Sequence, residues 1–384
     1  MPPLAQPALK TTRLGGVDVP AAAVLEKMHR SPYILRAGKG ELSTVAAQKV
    51  LLPRERETSP QAVDAVRAAD GTIYAHLGHI ICKSSDQGAT WSAHEKGAGG
   101  GCFAVLGDGR FVCLGSAGEH PHAYVVVRVS QDEGRSWQGL AAIPNPPGCW
   151  GSGIWIARLP GDELVAALAH PDHVFEEVEG GLVLRAGGSR MRAYRSTDGG
   201  RTWSDAIPLV DDWASEGGVA LTPSGTLLSV NRYQRPTLPG DPADLEARNG
   251  SVNKGWAYKH ICLVESDDQG RSWRDFRQLT TMFGQTMGRP VARSDGTICM
   301  VHDTRYGPGP AGSRAMISRD DGRTWEDEVY YLDYTTFVGS YNGSVPLDDG
   351  RLLTISASSQ AGNSWDAVRN DTEVYAIAWQ PLWQ

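Results

Sequence analysis

The sequence predicts an all-β protein, a closed ring of six four-stranded antiparallel blades, and three observations carry that prediction. A hairpin recurs six times, over residues 58 to 77, 99 to 116, 152 to 170, 215 to 232, 288 to 303 and 340 to 357, each copy pairing two apolar runs about a Gly-, Pro- or Asp-rich turn. A second motif, Ser-x-Asp-x-Gly-x-Ser/Thr-Trp, occurs five times, at 84 to 91, 130 to 137, 196 to 203, 266 to 273 and 318 to 325. The composition, with 45 Gly, 23 Pro and 12 Trp in 384 residues, favours short strands between turns over helix.

The elements follow in order. Residues 1 to 30, rich in Pro, Ala and Gly, read as an N-terminal arm, and residues 31 to 384 as one propeller, since repeat architectures run to this length as a single unit. Each hairpin supplies two strands, a third follows at 122 to 130, 191 to 196, 260 to 266 or 314 to 318, and the Ser-x-Asp motif turns the chain into a fourth. In that turn the Asp caps backbone amides, the Gly takes a conformation closed to other residues, and the Trp buries its ring between neighbouring sheets. The sixth unit lacks the motif and has one strand after its hairpin, 372 to 381. Its missing strand is expected from the N-terminal segment around Glu41 to Leu52, which would close the ring non-covalently.

Composition also bounds the partners. A formal net charge of -7 leaves no basic footprint for nucleic acid, so an anion site must be a local Arg cluster. Cys82, Cys102, Cys113, Cys149, Cys262 and Cys299 show no C-x-x-C spacing and several lie in apolar runs, which predicts reduced, buried thiols and neither disulfides nor a metal. The N-terminus has no uninterrupted apolar stretch of the signal-peptide kind, and no later segment approaches the roughly eighteen apolar residues of a membrane span. The expectation is a cytoplasmic protein away from membranes, or a secreted or periplasmic one if a leader was removed. No cofactor is expected, and the oligomeric state is not legible.

The fourth hairpin, SEGGVALTPSGTLLSVNR, is the candidate for chemistry. Pairing its strands brings Glu216 and Arg232 to one end, so a carboxylate and a guanidinium face one small volume. The bland alternative is a surface ion pair. Matched positions in the other units place His76, His79, Glu119, His120, His170, His173, His302, Asp303, Arg305 and Tyr341 on the same rim, and so titratable a rim points to a site.

The Ser-x-Asp-x-Gly-x-Thr-Trp turns resemble the Asp-boxes of the sialidase superfamily, and this resemblance spans most of the chain. It implies a sialidase-like six-bladed propeller whose boxes lie on outer turns remote from the site. It also implies a Tyr nucleophile with a Glu base, an Asp acid, and three Arg that hold a substrate carboxylate. Glu216 with Asn231-Arg232 is similar to the stretch holding the family's Glu and second Arg, and Tyr341 in SYNGSVPLDDG is similar to its Tyr. Arg314, four residues before a box, is placed like the third Arg, with Arg289 and Arg305 as competitors. The first Arg lies in an Arg-Ile-Pro run for which this chain has Thr58-Ser59-Pro60, and no Asp stands where the family's acid does, so a His or Asp of the first, second or fifth unit, His302 and Asp303 among them, is expected across the pocket from Tyr341 as the substitute. The resemblance implies an exo-acting glycoside hydrolase of sialidase type that releases a terminal acidic sugar. Two alternatives stand beside it: a polysaccharide lyase on uronate-containing glycans, with Tyr or His abstracting a proton beside an Arg-neutralised carboxylate, and a non-catalytic glycan-binding propeller. Carbohydrate is the partner in all three.

Overall fold

The apolar runs form strands because β-branched and aromatic residues pack well on a pleated, half-buried surface. The computed structural model describes residues 13–14, 17–54, 63–98, 101–119, 123–146, 151–172, 174–178, 181–186, 188–249, 253–254, 257–279, 285–304, 310–336, 341–360 and 371–382. Its innermost strands are Val63–Arg67, Phe103–Val105, Ser152–Arg158, Ala214–Leu221, Gln285–Ala292 and Asn342–Pro346. Each packs against the next and the last against the first, so the ring is closed. The first four blades are separate four-stranded antiparallel sheets.

The fifth and sixth blades are fused. Glu41–Leu51 lies antiparallel on Glu373–Trp379 and is the outer strand of the sixth blade, so the N-terminal segment closes the ring as its sequence suggests. Tyr33–Gly38, which sequence reasoning does not assign, pairs with both Glu41–Leu51 and the fifth blade's outer strand Glu328–Tyr331, and thereby joins the two blades into one nine-stranded sheet. Ahead of it, Ala22–His29 is a helix whose Leu25 and Met28 are buried in the core shared by these blades.

The seam is fastened by charge. His29 Nδ1 lies 2.8 Å from Asp333 Oδ1 and its Nε2 3.2 Å from Glu373 Oε2, while Arg30 reaches Glu373 at 2.7 Å. Burial works against the imidazolium, but the hydrogen bond and charge of Asp333, joined by those of Glu373, outweigh it and His29 titrates above its ordinary value.

All five Ser-x-Asp turns share the same Asp and Ser bonds, and the first three add a bond from the Trp indole. In the first, Thr90 N and Oγ1 donate to Asp86 at 2.9 and 2.6 Å, Gly88 N donates to Ser84 Oγ at 2.9 Å, and Trp91 Nε1 donates to Gly88 O at 3.0 Å. Gly88 sits at φ +85°, where a Cβ would be strained. The bonds from Thr90, and after them the one from the Ser84 hydroxyl, hold Asp86 down at about 2. The turns join third to fourth strands, at the end of the ring opposite the start of the inner strands.

Two insertions leave the blades at the other end. The third blade carries the hairpin Val174–Val178 and Gly181–Ala186 between its second and third strands, and the fourth carries Asn253–Lys254 at the equivalent place. The two insertions meet in a three-stranded sheet through the parallel pairs Leu182 with Asn253 and Val183 with Lys254. Cys82, Cys102, Cys113, Cys262 and Cys299 are buried free thiols, while Cys149 lies outside the described residues. No helix among the described residues is long and apolar enough to cross a membrane.

Candidate active site

The end of the ring where the inner strands begin gathers the candidate residues, and β-bulges aim them. In the fourth blade Ser215 pairs with Arg232 and Gly217 with Asn231, so Glu216 is the extra residue of a bulge and turns out of the ladder toward the axis. Only Gly fits at 217, because a Cβ there would stand 1.8 Å from Val230 O. Tyr341, at the head of the sixth blade's inner strand, donates its phenolic hydrogen to Glu216 Oε1 at 2.5 Å across 125 sequence positions. Arg232 Nη1 lies 2.5 Å from the other oxygen, Oε2, and its Nε donates to Ser215 Oγ at 3.0 Å. Both carboxylate oxygens of Glu216 are thus engaged.

A second layer lies two residues deeper along the same strands. The inner strand of the fifth blade is irregular between Thr286 and Arg289, and Arg289 reaches past the fourth blade to stack on Trp155 of the third, its guanidinium carbon 4.1 Å from the ring centre. Gly218 makes room for this, since a Cβ there would stand 3.1 Å from Arg289 Cδ. On the opposite wall Asp64, from the first blade, occupies the space beside Gly343, whose Cβ would stand 2.7 Å from Asp64 Oδ1. Gly343 follows Tyr341 by two residues and so shares its face of the strand. Burial pushes the Asp64 carboxyl up to about 7, against the opposing charge of Arg289 and a hydrogen bond from Ala65 N. Asp64 Oδ2 and the Nε and Nη1 of Arg289 are buried and make no hydrogen bond among the described residues.

The sequence-derived candidates divide between these layers and the wall behind them. Glu216, Arg232 and Tyr341 meet as described, and Arg289 joins them from below. His302 and Asp303 lie on the second strand of the fifth blade, buried, with His302 opposite Arg314 in the ladder. Burial, reinforced by the Arg314 charge, pushes His302 down to about 3, so it is neutral near pH 7. Arg314 is itself buried, donates to Pro310 O at 3.0 Å and stacks on Tyr331. Among the other rim histidines, His76 is 2.7 Å from Lys96 Nζ and His170 3.1 Å from the Tyr194 hydroxyl, both turned between blades. Arg305, His120 and His173 lie outside the described residues. Sequence reasoning does not single out Asp64: in VDAVR it reads as the polar member of an alternating strand, and its place against Gly343, two residues from Tyr341, comes from ring closure alone.

The chemistry open to this arrangement is proton transfer around an electrophile: a phenol with an acceptor already in place, a carboxyl that holds its proton near neutral pH, and a guanidinium with free donors. No group of three or more His, Cys, Asp or Glu among the described residues could hold a metal ion. At the opposite end of the axis a cavity of about 410 Å³ lies between Val66, Val105, Ile156, Leu159, Val219 and Leu221, with Trp155 as its wall toward Arg289.

Residues 194–205 match the family model of the BNR/Asp-box repeat. Among curated proteins the chain is 35% identical over 98 residues, 24% of its length, to an anhydrosialidase of Macrobdella decora, and 23% identical over 225 residues, 48% of its length, to a sialidase of Paraclostridium sordellii. These matches cover 12% and 52% of the two relatives, so the chain accounts for a fraction of the first and about half of the second. Among solved structures, the α-L-arabinofuranosidase of Fusarium graminearum, in complex with arabinobiose, superposes with a TM-score of 0.59 at 17% identity over 87% of this chain and 97% of its own.

Proposed function

From a chain that belongs to the sialidase-like superfamily of Asp-box propellers, we propose an exo-acting glycoside hydrolase of sialidase type that releases a terminal acidic sugar. The observation that carries this reading is the 2.5 Å contact between Tyr341 and Glu216. With one oxygen of Glu216 on the phenol and the other on Arg232, the carboxylate is placed to take the phenolic proton rather than to attack a sugar itself. Tyr341 oxygen attacks the anomeric carbon as Glu216 accepts its proton, and Asp64 gives its proton to the departing glycosidic oxygen. Water then reverses both transfers: Asp64 recovers a proton from the attacking water, and Tyr341 leaves with a proton from Glu216.

Asp64 takes the part for which the rim offers His302 and Asp303. Its raised affinity for a proton suits a general acid near neutral pH, whereas neutral His302 has no proton to spare as an imidazolium. The unpaired N–H groups of Arg289 and the neutral nucleophile both suit an anionic sugar, which would repel a carboxylate nucleophile.

A second reading is favoured by the arabinofuranosidase structure, 97% of which this fold covers: a neutral pentofuranoside, with Glu216 attacking and Tyr341 orienting it. Release of 4-methylumbelliferone from its N-acetylneuraminic acid glycoside, and of 4-nitrophenol from its α-L-arabinofuranoside, separates the two. The first reading requires sialoside turnover that Tyr341→Phe lowers by ~10² or more. Arabinoside turnover that survives Tyr341→Phe selects the second. Glycan binding without turnover of either would leave a binding propeller.

A further inference from the structure

The three-stranded sheet built from the insertions of the third and fourth blades has no part in the ring, and its position carries an inference. Both insertions leave from loops between second and third strands, the end of the ring at which Glu216 and Tyr341 lie. The fourth-blade insertion starts after Arg235, three residues beyond Arg232, and the third-blade insertion starts after Pro171, on the adjoining blade.

The roots of both insertions are fixed. Arg235 grips Asp241 through two bonds of 2.8 and 3.0 Å and stacks on Tyr258, its guanidinium carbon 3.4 Å from the ring centre. Leu245 is fully buried in the core of blades three and four, and Thr237 donates to Glu246 at 2.6 Å. In the third blade Asp172 N donates to Gly188 O at 3.0 Å, Gly188 N donates to Asp172 Oδ1 at 2.6 Å, and Arg190 reaches Asp172 at 2.9 Å. With both roots anchored and the tips stapled by parallel pairing, the sheet is a standing wall and not a loop that swings.

We propose that this wall is the specificity element that confines the enzyme to chain ends. A glycan cut internally must pass the catalytic pair on both sides, and a fixed sheet rooted next to Glu216 and Arg232 closes one of them. Only a terminal residue then reaches Tyr341. The proposal rests on the glycosidase reading above and adds to it the reason for exo action.

The root geometry supplies the test. Because Asp172 and Gly188 already face each other as a hydrogen-bonded pair, residues 173–187 can be replaced by an Asn-Gly turn without pulling on the blade. Wild type and this excision variant are compared on colominic acid and on linear 1,5-α-arabinan by chromatographic sizing of early products, with the matching aryl glycoside as reference.

Wild type is expected to release monosaccharide alone. The excision variant is expected to produce oligosaccharides from the first minutes, with its polymer to aryl-glycoside ratio of kcat/KM raised about tenfold or more. A variant that turns over the aryl glycoside yet still yields only monosaccharide, at an unchanged ratio, overturns the proposal. If excision prevents folding, Val183→Pro, which removes a strand N–H at the staple, is expected to shift the products in the same direction, and unchanged products from it count against the wall. Wild type inert toward both polymers and both aryl glycosides overturns the glycosidase reading, and the wall's role falls with it. Internal cleavage by wild type overturns the wall together with the exo action it explains, and leaves glycosidase chemistry standing.

Discussion

Charge is paired to different degrees at the two places where the chain closes on itself. At the seam between the fifth and sixth blades His29 is shared between Asp333 and Glu373, Glu373 also takes Arg30, and Arg36 meets Glu328 at 2.5 Å, so every one of these side chains has a partner even though Asp333 Oδ2 itself is unbonded among the described residues. At the axis Asp64 keeps one oxygen unbonded, Arg289 leaves two nitrogens unbonded, and Asn342, next to Tyr341, buries both side-chain polar atoms without a partner among the described residues. An unpaired buried polar group costs about 1–3 kcal/mol, so a cluster of them is retained only where something else fills the need. The seam therefore reads as stability and the axis as binding capacity held open for a ligand.

The sharpest way to break that contrast is to damage the axis and watch stability. Glu216→Gln and Tyr341→Phe are each expected to lower kcat/KM by ~10² to 10⁴, and the double variant to cost little more than either, because the two residues act as one unit. The melting temperature should stay within about 2 °C of wild type, since a partly exposed ion pair contributes little to folding. Full activity of Glu216→Gln on the turned-over glycoside would remove the base assignment.

Asp64→Asn comes next. It is expected to lower kcat/KM by ~10² to 10³ on a glycoside with a poorly acidic leaving group, and by much less on 4-methylumbelliferyl glycosides, whose leaving group departs without a proton. Equal losses on both would show that Asp64 serves binding and not proton donation. Gly343→Ala tests the same contact from the other strand. Its Cβ would stand 2.1 Å from Ala65 N as well as against Asp64, so about 1–3 kcal/mol of stability and roughly 10- to 10²-fold in kcat/KM should be lost together.

Why the sequence discloses more of one layer of the axis than of the other, Arg289 being a candidate and Asp64 not, follows from how each is encoded. Glu216, Arg232 and the five boxes are set by local rules, turn chemistry and hairpin register, which a single stretch contains. The ring closure is legible because the sixth unit visibly lacks a strand. Asp64 and Arg289 are each admitted by a glycine on another blade, Gly343 and Gly218, whose meaning exists only once the ring is closed. The Glu-Gly-Gly of the fourth hairpin shows this well, since one Gly admits the bulge and the next admits Arg289. The helix Ala22–His29 and the wall of the third and fourth blades escape for a different reason. A helix in a Pro- and Ala-rich lead and two short strands inside insertions offer no repeat to align.

The seam gives the converse result. His29→Ala takes from buried Asp333 its imidazole partner and leaves it the hydrogen bond from Tyr334 N, and breaking a buried pair in this way costs about 3 kcal/mol. Chemical denaturation should report that loss while kcat/KM of the folded protein, read well below its midpoint, stays unchanged. A parallel loss of activity would mean that seam and axis are coupled through the fifth and sixth blades.

The smallest effects separate the two regions by pH. Asp64 holds its proton more tightly folded than unfolded, so the folded state binds more protons between the ordinary carboxylate range and about 7, and stability falls as pH rises through that window. His29 is also raised when folded, but from an imidazole value of 6.5, so its contribution is complete below that pH and is lost as pH climbs through the higher folded value. Wild type should then lose stability in two successive stretches, the first from the axis and the second from the seam, and a pKa that differs by one between the folded and unfolded chain is worth about 1.4 kcal/mol. Asp64→Asn should flatten the acid-side slope and leave the alkaline one, and His29→Ala should do the reverse. Denaturation midpoints measured from pH 4 to 9 on both variants decide it. A single variant that flattens both slopes would show that one group alone governs the profile, and the division of labour between axis and seam would have to be given up.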